Sequence, residues 1–166
     1  MTTPGRPPAD TRALVIGLGN SYRCDDGAGL AVAARVRAAR LPGVAVAGLE
    51  GEPLSLIDAW DGAGLVYLAD AVSSGGEPGA VYRCDAAAGL PPEPLRHRGT
   101  HAFSVADVVE LGRALHRLPS RLIIYGIEGA EFGAGTGLSP RVEQAVGTVV
   151  KRLVSELTVA AAGGAG

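Results

Sequence analysis

Lysine is almost missing from this chain of 166 residues: Lys151 stands alone against fourteen arginines. Fifteen basic residues face seventeen acidic ones, for a formal net charge of −2. Nucleic acid binding draws on clustered Lys and Arg, so this balance gives no electrostatic case for nucleic acid as a partner. Cysteine is also scarce. Cys24 and Cys84 make neither a zinc spacing nor a disulfide framework, which fits a reducing cytoplasm. No run of about 18 apolar residues exists, and residues 1–12 hold Pro and Arg but no apolar core of a signal peptide. Gly-x-Ser-x-Gly and His-Glu-x-x-His are both missing, so neither covalent serine chemistry nor the usual zinc-protease arrangement is supported.

What is present is apolar: 47% hydrophobic against 19% charged residues, the composition of a globular chain long enough for one sizeable core. Residues 1–12 read as a disordered N-terminal tail, 13–158 as a single domain and 159–166 as a flexible C-terminal tail. Strands are expected at Ala13–Leu18, Val44–Leu49, Leu65–Ala69 and Leu122–Ile127. A short strand at Ala80–Arg83 is expected antiparallel to the third, because the connection is too short for a crossover. Helices are expected at 27–40, at Pro53–Trp60 and from Ser104 to about His116, where Ser104 and Asp107 suggest a capping box. A C-terminal helix opens at Ser139-Pro140, with Val142, Ala145, Val146, Val149 and Leu153 on its apolar face. Asp85–Thr100 reads as a Pro-rich loop. The fold class is therefore α/β: a three-layer sandwich with a mostly parallel twisted sheet of about five strands, helices on both faces and one short antiparallel strand.

Ligands of such sheets bind beyond the carboxyl ends of the strands, where the strand order reverses. Asp26 follows the first strand and Asp70 the third. If the second strand lies on the far side of the first, the two carboxylates flank that switch point. His101 stands just before the Ser104 helix. Two carboxylates and an imidazole could form one hard-ligand metal or acid/base site.

Each residue also has a plainer reading. Gly17-Leu18-Gly19-Asn20 looks like part of a dinucleotide fingerprint, but Tyr22 stands where a third glycine belongs, and glycines for a tight turn explain it better. Acids at a helix start complement its dipole, so one of Asp25 and Asp26 needs no further role, although two adjacent acids can hold different jobs. Asp70 can cap a turn at Ser73-Ser74-Gly75. His101, like His97 and His116, can be an ordinary loop histidine. Cys24 adjoins a carboxylate rather than an electropositive group, so it reads as a packing residue rather than a nucleophile. Cys84 reads the same way.

Taken together, the motifs resemble the endopeptidases that mature nickel–iron hydrogenases. Gly17-Leu18-Gly19-Asn20, then four residues, then Asp25-Asp26 and the spaced glycines Gly27 and Gly29 are similar to that family's opening block. Asp70-Ala71-Val72 resembles its second block and 100–109 its third. Gly126-Ile127-Glu128 and Gly137-Leu138-Ser139-Pro140-Arg141-Val142 resemble its C-terminal signature. The resemblance covers about residues 13–155. Cys24 departs from it where glycine is common, and Gly129 where proline is common.

The resemblance implies an enzyme that trims the C-terminal extension from a hydrogenase large-subunit precursor after nickel insertion. It assigns Asp26, Asp70 and His101 as catalytic residues and metal ligands. Nickel is expected to come with the substrate, and zinc or cadmium can stand in for it. The expected partner is the nickel-loaded precursor, met by a cytoplasmic monomer with no nucleic acid or membrane involved. A different class of function fits the same residues: a non-catalytic nickel-checkpoint or metallochaperone module that binds the precursor without cutting it. A nucleotide-binding α/β domain is a third reading, for which the loop lacks phosphate ligands.

Overall fold

The structure is a computed structural model and describes residues 8–50, 53–96 and 103–163. Along the chain come β1 (Ala13–Leu18), a 3-10 turn (Cys24–Gly27), α1 (Ala28–Ala38), β2 (Val44–Leu49) and α2 (Pro53–Trp60). They are followed by β3 (Leu65–Val72), β4 (Val81–Asp85), α3 (Glu93–Arg96), α4 (Val105–Ala114), β5 (Arg121–Glu128) and α5 (Pro140–Gly163). The five strands form one sheet in the order β2-β1-β3-β5-β4. All neighbours run parallel except β4, which is antiparallel to β5.

Successive strand residues point to opposite faces, and both faces are covered. Leu14, Ile16, Val66, Leu68, Leu122 and Ile124 pack on one side with Leu56, Ile57 and Trp60 of α2 and Val105, Val108 and Val109 of α4. Ala13, Val15, Tyr67, Ala69, Ile123 and Tyr125 pack on the other with Val32 and Val36 of α1 and Val142, Val146, Val149 and Leu153 of α5. This is why β1, β3 and β5 read as continuous apolar runs. Ser104 caps α4 as its sequence suggests: its hydroxyl accepts from the Asp107 N–H, and the Asp107 carboxylate accepts from the Ser104 N–H.

The structure departs from three sequence expectations. The short strand is antiparallel but does not pair with β3, because both ladders of β3 are taken by β1 and β5. The connection 73–80 carries it past β5 instead, and Val81 pairs with Ile127 and Asp85 with Ile123. The Pro-rich stretch after Asp85 holds the one-turn helix α3, whose Leu95 is buried against Gly126. The C-terminal helix α5 continues through Ala160–Ala162 to Gly163.

Candidate active site

β1 has β2 on one side and β3 on the other, so the chain leaves it in two directions and a crevice opens at the carboxyl ends of β1 and β3. Asp26 lies in the turn that follows β1 and is 2% exposed. Asp70 lies in β3, one residue past Ala69, which is level with Gly17 of β1. The strand is longer than its apolar run suggests, because Asp70, Ala71 and Val72 continue the ladder opposite Gly126, Ile127 and Glu128.

Glycines bring the two acids together. A Cβ on Gly17 would stand 2.1 Å from the Gly29 carbonyl oxygen, and one on Gly29 would stand 2.2 Å from that of Leu18 and 2.3 Å from that of Ala69. The start of α1 is thus pressed onto β1 and β3 at a distance no side chain permits. Gly19 combines a φ of +143° with a Cβ position 1.9 Å from the Asp26 carbonyl oxygen, so it fixes the path of the turn itself. The space beside these glycines is filled by the chain's own backbone, which supports the reading of the motif as close packing rather than as a phosphate cradle.

The electrostatics follow from this packing. Burial pushes the Asp70 carboxyl up, the charge of Asp26 pushes it further, and the N–H of Ala71 offsets only part of the rise, leaving it at about 8. The charge of Asp26 is thus felt at Asp70 across the carboxyl ends of β1 and β3. His101 and His97 lie outside the described residues. The third histidine, His116, follows α4 at the amino-end side of β5, the edge of the sheet away from the two acids, so it has no part in the pair. Among the described residues no three His, Cys, Asp or Glu side chains are grouped to hold a metal. The described part of the site is the acid pair.

Asp25, the other acid of the doublet, does something different. It is fully buried, and its carboxylate accepts from the N–H groups of Ala130 (2.8 Å), Glu131 (2.9 Å) and Ser139 (2.7 Å) and from the Ser139 hydroxyl (2.9 Å). Burial alone would raise its pKa; these bonds outweigh burial and hold it below the usual carboxylate range. Around it the 3-10 turn is stitched to the loop 129–139. The Asp25 N–H donates to the Glu131 carbonyl, the Cys24 N–H to that of Gly135, and the Gly135 N–H to that of Tyr22. The Arg23 guanidinium donates to the Phe132 carbonyl. Cys24 sits in this seam with φ +50°, a conformation glycine adopts without strain.

Glu128 repeats the pattern at the end of β5. It is 1% exposed and accepts from the Ser74 N–H (2.8 Å), the Ser74 hydroxyl (2.6 Å) and the Tyr82 hydroxyl (3.3 Å), pinning the loop after β3. Sequence reasoning named Asp25 and Glu128 as parts of motifs without a role. The signal was there in Ser139-Pro140 and Ser73-Ser74, small hydroxyl residues at loop ends where a buried carboxylate finds donors.

A family model described as hydrogenase maturation protease matches residues 44–156. The fold is similar to that of the hydrogenase maturating endopeptidase HybD from E. coli, at TM-score 0.68 and 21% identity, covering 89% of this chain and 93% of that one. It is likewise similar to the [NiFe] hydrogenase maturation protease HycI from Thermococcus kodakarensis KOD1, at TM-score 0.66 and 24% identity over 89% and 92% of the two chains. No curated protein sequence matches the chain.

Proposed function

The chain belongs to the hydrogenase maturation protease family, and from that premise we propose that it is the endopeptidase that removes the C-terminal extension of a nickel–iron hydrogenase large-subunit precursor once nickel is in place. The observation that supports this most is the juxtaposition of Asp26 and Asp70 at the carboxyl ends of β1 and β3.

Asp26, Asp70 and, by the family resemblance, His101 are assigned to meet the nickel that the precursor carries. Two carboxylates and an imidazole suit a divalent ion of this kind, and like charges packed together are what a cation relieves. When bound, the ion polarises the scissile carbonyl. This chain's residues supply position and proton transfer. The glycine-packed start of α1 fixes Asp26 against β1 and β3. Asp70 holds a proton on its carboxyl when no cation is near; the ion would displace that proton, and the carboxylate left behind takes a proton from the attacking water and passes it to the leaving amine. The precursor is the partner, and the protein acts as a cytoplasmic monomer. No helix among the described residues is long and apolar enough to cross a membrane.

The test uses chelator-stripped protein with nickel-loaded and nickel-free precursor, reading the precursor's C-terminus by mass. Cleavage of the nickel-loaded form alone is expected. Binding of that form without cleavage would instead identify a non-catalytic checkpoint module. Equal cleavage of both forms would identify a self-contained aspartate-dependent peptidase.

A further inference from the structure

The loop 129–139 leaves the carboxyl end of β5, the same edge of the sheet that carries Asp26 and Asp70. It is irregular, and residues 130, 131 and 133–137 are exposed. A loop of this kind, with no helix or strand of its own, has little besides its anchors to hold it in place. Backbone bonds of Cys24 and Tyr22 to Gly135 and the Arg23 guanidinium on the Phe132 carbonyl hold its middle, and one side chain holds both its ends. Asp25 takes bonds from Ala130 and Glu131 at the start of the loop and from Ser139 at its end, and the Asp25 N–H returns a bond to the Glu131 carbonyl. The same residue is covalently joined to Asp26. The two ends of the loop are therefore joined to the turn that presents Asp26 through one buried carboxylate, beside the backbone bonds at Gly135 and the Arg23 contact at its middle.

We propose that Asp25 is a positioning residue for cleavage: through its four bonds to the loop 129–139 it holds Asp26 in register with Asp70, while touching neither substrate nor metal itself. The inference rests on the endopeptidase reading given above. Asp25→Asn keeps the shape of the side chain but replaces one accepting oxygen with an NH2 group facing N–H donors. The turn then relaxes, and Asp26 shifts relative to Asp70. Displacements of about 1 Å at a reacting centre cost up to ~100-fold in rate. Ser139→Ala removes one donor of the four and tests the same link in a smaller step.

The experiment measures kcat and KM for cleavage of nickel-loaded precursor by the wild type, Asp25→Asn, Ser139→Ala and Leu153→Ala. It is run at a temperature where circular dichroism shows all four folded. Leu153 is a core residue of α5 and serves as a destabilised control. Asp25→Asn is expected to lose roughly 10–100-fold in kcat with KM within about twofold, and Ser139→Ala to lose less, whereas Leu153→Ala keeps the wild-type kcat. Should Asp25→Asn be too unstable to assay, Ser139→Ala carries the test alone, and an unchanged kcat there overturns the proposal. A wild-type kcat in Asp25→Asn, with the same loss of Tm as Leu153→Ala, also overturns it and leaves the endopeptidase reading intact. Wild-type protein that leaves every nickel-loaded precursor uncut overturns that reading instead, and with it the reaction that Asp25 would serve.

Discussion

Asp25 accepts four hydrogen bonds from the loop 129–139 and titrates below the usual carboxylate range, while Asp70, on the neighbouring side of the same crevice, faces Asp26 and titrates near 8. Both are aspartates, Asp25 fully buried and Asp70 partly so, and burial pushes each pKa up, so residue type and burial do not account for the opposite shifts. What differs is the partner. Donors aimed at a buried carboxylate offset the cost of removing it from water, whereas a second acid adds to that cost. The first arrangement stabilises the fold. The second is maintained by the fold at its own expense, and close packing at Gly17 and Gly29 is what maintains it. Strained groups of this kind cluster where chemistry is done.

The largest effect that sharpens this contrast is on turnover. Asp26→Asn is expected to lower cleavage of the nickel-loaded precursor by about 10²–10⁴-fold with the fold retained, read by product mass and circular dichroism. A variant that melts earlier yet cleaves normally would make Asp26 a helix-start residue and nothing more. Asp25→Asn should also lower stability, by about 3 kcal/mol in urea unfolding at pH 7. Its sign with pH follows from the lowered pKa. The stabilisation is present above the unfolded value and is lost as pH falls through the folded one, so wild type and variant should converge in acid. A gap that widens in acid would refute the assignment.

Gly17→Ala comes next, at about 2 kcal/mol of destabilisation, because its Cβ meets the backbone oxygen of Gly29 and α1 must move away from β1. Processing should fall with it, since the same shift parts Asp26 from Asp70. Wild-type stability and activity in Gly17→Ala would show that the close approach is not needed. The smallest effect belongs to Cys24. Cys24→Ala is expected to retain processing, because the thiol has no nucleophilic role. Cys24→Gly, which releases the left-handed strain at φ +50°, should change stability by less than about 1 kcal/mol. Complete loss of cleavage in a folded Cys24→Ala protein would reopen a thiol mechanism.

What could be read in advance follows the range of the interactions. The strands β1, β3 and β5 announce themselves because each is apolar on both faces, and the Ser104 cap because its partner is three residues away. The placement of Asp26 and Asp70 was legible from topology alone, since one follows β1 and the other lies near the carboxyl end of β3, on either side of the switch point. The pairing of β4 was not, because direction is a local property and neighbour choice is not: β5 lies some forty residues downstream and displaces β4 from β3. α3 was hidden by its length, a single turn among prolines. Asp25 was visible as half of a doublet, but its donors lie more than a hundred residues further along the chain, so nothing near it distinguished a clamp from a cap.

The central claim is that the fold holds Asp70 against Asp26 at a cost, and the pH dependence of stability in Asp70→Asn relative to wild type tests it most directly. An aspartate whose folded pKa is raised binds its proton more tightly when folded. Wild-type stability therefore falls as pH rises from about 4 to about 8 and levels off above, by at most about 1.4 kcal/mol per pH unit. Titrating groups outside the Asp26–Asp70 pair are common to both proteins and cancel in the difference. The account predicts that Asp70→Asn gains on the wild type steadily across that interval and is the more stable protein at pH 8, while losing cleavage of the nickel-loaded precursor. A difference that stays flat with pH, or a variant less stable than wild type at pH 8, would contradict it.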